Sequence, residues 1–155
     1  MKIKVIAFVL SLFLTGSLYA QEKYSFVFAD KLEWKDAPPS MPKGAKISVI
    51  EGDMKEGPFT ARLKFPPNFK VPPHWHPSVE HVTVIKGNIY FGTGDTFNPD
   101  NATKLSKGDF EWQAVKHTHY VFTKGGETII QIHGIAPFGI NYVNAADDPR
   151  NNVQK

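Results

Sequence analysis

Apolar and polar positions alternate with period two over short stretches, and no stretch sustains the 3.6-residue period of a long helix. Segments 46–51, 59–65, 81–86, 88–91, 119–123 and 127–133 are rich in β-branched and aromatic residues and are predicted strands. Between them stand Gly52-Asp53, Gly57-Pro58, Pro66-Pro67, Pro72-Pro73, Lys86-Gly87-Asn88, Gly92-Thr93-Gly94-Asp95, Lys107-Gly108-Asp109 and Lys124-Gly125-Gly126. Each is a turn signal: glycine supplies positive φ, proline fixes φ, and Asn or Asp bonds back to the backbone. Short strands at this spacing predict one all-β sandwich or barrel. There is no internal repeat, low-complexity linker or sign of a second domain. The arm at 21–42 is predicted to lie along the outside, and the polar tail at 144–155 to fray.

The first twenty residues follow another pattern. Lys2 and Lys4 precede the apolar run 5–14, and Leu18-Tyr19-Ala20 ends in a small residue suited to cleavage. This is the layout of a secretory signal peptide, and the run, broken by Ser11, Thr15, Gly16 and Ser17, is short for the ~20 residues a membrane span needs. The expected mature chain is therefore 21–155, exported to the periplasm or secreted and free of the membrane after cleavage. Removing 1–20 takes two lysines and no acids, lowering the formal net charge from +3 to +1. Lys and Arg are scattered in what remains, so nothing points to nucleic acid or an anionic membrane. The chain has no cysteine, which excludes disulfides, thiolate metal sites and a cysteine nucleophile. No Gly-x-Ser-x-Gly element or glycine-rich phosphate loop occurs either.

Five of the six histidines fall in two short runs. In His74-Trp75-His76-Pro77-Ser78-Val79-Glu80, an extended chain sends His74 and His76 to the same face. Glu80 follows a Pro-Ser turn and opens the next strand, so its carboxylate can swing back toward both imidazoles. Two histidines and a carboxylate on one face suit a divalent first-row metal. His117-Thr118-His119 repeats the two-residue spacing, and one of its histidines can complete the set from across the sandwich. His117 is open between a wall of the site and the surface. His133 is open between the cavity and a hydrogen-bonded core. His81 has the wrong strand parity for the site. Arg62 and Lys64 share a strand face that is better read as solvated than as an anion site.

The segment 68–87 resembles the first motif of the cupin superfamily. His74-x-His76, Glu80 and Gly87 fit its spacing, and Asn68 stands at its leading glycine, where it too tolerates a left-handed backbone. The segment 108–123 is similar to the second motif. Gly108 and His119 match, whereas Ala114, Lys116 and Thr123 depart at the Pro, Gly and Asn positions and put the shape of the turn before His119 in question. The ending at 139–150 resembles small exported bacterial cupins with no assigned reaction.

The resemblance implies a double-stranded β-helix, or jelly roll, with its core at about 30–143. It implies one divalent ion (Zn, Ni, Fe or Mn) held by His74, His76, Glu80 and His119. Such an ion can polarise a carbonyl, acidify a bound water or promote enolisation. The expected activity is that of a dioxygenase, isomerase or decarboxylase on a small oxygen-bearing molecule, with Glu80 as the catalytic base. The alternative is a non-catalytic module that binds or senses a metal or small ligand. The expected partner is a small molecule, and a homodimer is compatible with the resemblance. Some of Trp75, Tyr90, Phe91, Trp112, Tyr120, Phe122 and Phe138 would line the cavity mouth.

Overall fold

The computed structural model describes residues 24–152, so the expected leader at 1–20 lies outside the described residues. Two antiparallel sheets face each other. One runs in the order β1 (Lys35–Asp36), β2 (Lys46–Asp53), β3 (Glu56–Phe65), β10 (Thr128–Ile135), β5 (Glu80–Lys86), β8 (Phe110–Gln113). The other runs β11 (Asn141–Tyr142), β4 (Lys70–Trp75), β9 (His119–Phe122), β6 (Asn88–Thr93), β7 (Thr103–Ser106). From β3 onward the chain changes sheet at every connection except that between β6 and β7. This is the jelly roll that the alternating pattern and the two motifs predict.

Period-two burial holds where the core is. In β3 the residues Phe59, Ala61, Leu63 and Phe65 face inward, and in β5 Val82 and Val84 do the same. Ile130 and Ile132 of β10 complete that face. Each fully buried side chain of this kind contributes roughly 1.5–3 kcal/mol. The strand β9 is buried on both faces, because the loop carrying Phe97 folds over it. Phe97 packs against Tyr120 and Phe122 at 5.0 and 5.4 Å between ring centroids, and the Tyr120 hydroxyl donates to Asn98 O at 2.6 Å. Gly92 pairs with Tyr120 across the ladder, and a Cβ there would stand inside the tyrosine ring.

Three local expectations differ from the structure. Pro72-Pro73, a turn signal in the sequence, lies inside β4. The ladder with β9 shifts register between Val71 and His74, which is where prolines without N–H groups can sit. The described part of the arm, 24–42, does more than lie along the outside. It pairs through β1 with β2, and its end brings Pro38, Ser40 and Met41 to the wall of an internal cavity. The tail does not fray over 144–152. Asn144 caps a 3-10 turn, Arg150 forms a two-pronged pair with Asp148, and its guanidinium also donates to Ile140 O.

Candidate metal centre

The crossings between sheets place the chemistry. His74, the last residue but one of β4, pairs with His119 at the start of β9, so the two imidazoles stand side by side, with ring centroids 4.2 Å apart. His76 follows β4 by one residue, and four residues later Glu80 opens β5 in the opposite sheet. His74, His76, Glu80 and His119 are only 3, 6, 6 and 1 % exposed, so these are not solvated surface groups. One ring nitrogen from each of the three histidines lies within 4.8 Å of the others. A Glu80 carboxylate oxygen is 3.6 Å from Nε2 of both His76 and His119.

The backbone fixes which nitrogen faces inward. The Nδ1–H of His74 donates to Pro72 O at 2.7 Å, that of His76 to Gly139 O at 2.6 Å, and that of His119 to His117 O at 3.1 Å. A carbonyl can only accept, so Nδ1 carries the proton and Nε2 keeps its lone pair. Three lone pairs and a carboxylate then face one another without a donor between them. Burial, and for His74 also the two neighbouring imidazoles, pushes the rings toward neutrality, and His76 is lowered to about 4. Burial raises Glu80 in turn, against the lowering influence of His119 and His81. Without a cation the cluster is therefore neutral and short of donors, whereas one dication would satisfy all four groups. The donors present fit a divalent ion, and Nδ1–H bonds to carbonyls are the usual way such ligands are held.

The turn before His119 keeps its shape despite the missing glycine. Lys116 takes the left-handed conformation (φ 59°) and its N–H donates to His76 O at 2.9 Å, joining the two motifs. Asn68 is left-handed too (φ 57°). Thr123, at the motif's Asn position, is buried; its Oγ1 accepts from Phe69 N and donates to Pro66 O. Gly87 (φ 75°) makes the tight turn into β6, where a Cβ would collide with the Glu127 carbonyl.

Beside the cluster lies a cavity of about 250 Å³. Its walls are apolar side chains from both sheets. Its mouth is formed by the arm (Met41), the β2–β3 hairpin tip (Met54 and Lys55) and the segment 138–140. Phe138 N–H donates to Met54 O at 3.0 Å, and the Phe138 ring stacks on His76 at 4.6 Å. The same segment thus lines the mouth and, through Gly139 O, orients His76. Of the aromatics considered from sequence, Phe91 and Phe138 line this cavity.

The remaining histidines lie elsewhere. His117 is exposed; its ring donates to Gln113 Oε1 at 2.6 Å, and it serves the site only through its carbonyl. His81 and His133 pair across β5 and β10 on the outer face, with ring centroids 4.4 Å apart. His133 is therefore neither a cavity residue nor a core one. Arg62 bonds Gln131, and Lys64 lies over the Trp34 ring. Sequence reasoning missed Glu111, which accepts from Gln113 Nε2 at 2.6 Å. Burial and the charge of Glu80 push Glu111 up to about 8, against the Gln113 bond. The signal was the inverted pattern of β8, with exposed Phe110 and Trp112 around inward Glu111 and Gln113.

Two facing antiparallel sheets with a histidine triad at their crossings define a cupin. The chain belongs to the family described as the ChrR cupin-like domain, whose model matches residues 22–136. No curated protein matches the sequence. Among solved structures, the polyketide cyclase RemF from Streptomyces resistomycificus is 15 % identical, covers 81 % of this chain and 89 % of its own, and has a TM-score of 0.67. KdgF from Halomonas sp. is 16 % identical over 73 % and 94 %, with a TM-score of 0.56. The DMSP lyase DddQ from Ruegeria pomeroyi is 14 % identical over 72 % and 61 %, with a TM-score of 0.58. At these identities the likeness is one of fold.

Proposed function

We propose that the protein is an exported, mononuclear metal-binding cupin that acts on a small oxygen-bearing molecule. The observation that carries this reading is the inward set of three Nε2 lone pairs, each fixed by an Nδ1–H bond to a backbone carbonyl, with the Glu80 carboxylate beside two of them. In this reading His74, His76, Glu80 and His119 hold the ion. A bound dication would act as a Lewis acid toward an oxygen of the ligand. Glu80 is the one carboxylate among the cluster's groups and the residue suited to take a proton from a bound molecule. The cavity admits that molecule from the mouth and excludes bulk water around it. Two of the similar folds belong to enzymes, a polyketide cyclase and a DMSP lyase, which supports catalysis on this scaffold without naming the reaction.

A second reading, a module that binds or senses a ligand without converting it, is favoured by the cavity walls. Apart from the cluster, only Ser40 and Lys55 among the described residues bring polar side chains to them. Elemental analysis of protein from its native compartment, followed by turnover assays, separates the two. The enzyme reading expects about one divalent ion per chain and either O2 uptake or conversion of a member of a small carbonyl-compound panel. One ion without turnover favours the module, and protein that takes up no ion overturns both.

A further inference from the structure

We infer that the ligand has a single oxygen-bearing head at the metal cluster and an apolar body of about one ring or a short chain, not a sugar or a dicarboxylate. This deepens the proposed function and rests on it for the position of the head. The body is read from the cavity itself. Apart from the four polar residues of the cluster, the walls are made by Ile47, Leu63, Val71, Val121 and Ile140 among other apolar side chains. Sugar hydroxyls or a second carboxylate placed against such walls would lose their water partners and gain none, a loss that strongly disfavours binding. The polar side chains outside the cluster, Ser40 and the exposed Lys55, come from the arm and the β2–β3 hairpin tip at the mouth, where solvent screening weakens any pull on an anion.

The volume sets the size. An apolar cavity of about 150 Å³ holds benzene. Scaled to 250 Å³, this one takes roughly ten non-hydrogen atoms. That is more than acetate or pyruvate and less than a typical drug-sized ligand. Met41 and Met54 bound the mouth with flexible thioether side chains that adapt to small differences in shape.

The test is a series of 2-oxo acids with one common head, titrated calorimetrically into zinc-loaded protein. From pyruvate through 2-oxobutyrate to 2-oxohexanoate and phenylpyruvate, affinity should rise about 4-fold per added methylene, the factor that corresponds to about 0.8 kcal/mol. It should fall again once the body exceeds the cavity. 2-Oxoglutarate should bind at least ~10-fold more weakly than 2-oxohexanoate, because its second carboxylate would be buried without a partner. Met41→Trp, at a half-buried mouth position, should move the optimum to a shorter body while leaving zinc content unchanged. A flat series, or 2-oxoglutarate binding as tightly as 2-oxohexanoate, would overturn the inference while the metal reading stands. If the protein takes up no zinc, the proposed function fails separately. Toluene binding to the metal-free protein, followed by NMR, then decides whether the body is apolar: saturable binding inside the cavity supports it, and none overturns it.

Discussion

The individual side chains make the sharpest claims. Each of His76 and His119 offers one Nε2 to the cluster, so His76→Ala or His119→Ala should lower bound metal at least ~10-fold, read by elemental analysis after dialysis. His81→Ala changes only the outer face and should leave metal content as it is. Equal loss in all three would mean that the effect is misfolding. Lys116 is a different case. A left-handed conformation costs a non-glycine residue roughly 1–2 kcal/mol, part of which is returned by the greater entropy that glycine has when unfolded. Lys116→Gly should therefore raise stability by about 0.5–1 kcal/mol, visible as a higher midpoint in denaturant with an unchanged slope. The motif names glycine here, and the backbone agrees with the motif although the residue does not.

Among the strands and turns, legibility followed the alternation. The strands β2, β3, β5, β6, β9 and β10 were visible because each has an apolar face of four residues or more, or sits in a β-branched run. β4 was hidden because Pro72 and Pro73 signal a turn, and only the bulge opposite β9 lets them lie in a ladder. β1 and β11 have two residues each and are made by pairing with a neighbour, so no local pattern could announce them. The site was legible for a related reason: the two-residue spacing of His74 and His76 fixes a shared face. Gly139, in contrast, acts through a backbone carbonyl that any residue carries, so no side chain marks its bond to His76. The segment it belongs to can be tested through its neighbour. Phe138→Ala removes the ring stacked on His76, and a contact of this kind is worth about 0.5–1.5 kcal/mol. Metal affinity should drop roughly 2- to 10-fold in competition with a chromogenic chelator, with the fold retained.

The folded protein as a unit carries a pH signature. In metal-free protein the three buried imidazoles stay neutral below their ordinary value of 6.5, where the unfolded chain takes up protons, so stability falls as pH drops. Glu111, raised to about 8, keeps a proton that the unfolded chain has released above 4.5, so stability also falls as pH rises toward 8. Glu80 is raised as well and acts in the same sense. The two trends oppose each other, so the melting temperature of metal-free protein should pass through a maximum between pH 4.5 and 8, and a monotonic profile across pH 4.5–8.5 would contradict these assignments. Free imidazoles would release metal below about pH 5–6. The lowered His76, at about 4, moves that loss to more acid solution, read as metal content after dialysis at stepped pH.

The bond from His76 Nδ1–H to Gly139 O has a kinetic consequence. The segment 138–140 that lines the mouth also keeps, through Gly139 O, an imidazole of the candidate metal cluster aimed inward. A movement of that segment that widens the doorway would therefore also loosen the hold on a bound ion. Residence times of ligand and metal should therefore lengthen or shorten together, and a ligand that keeps the doorway shut would also slow the loss of the ion to a chelator.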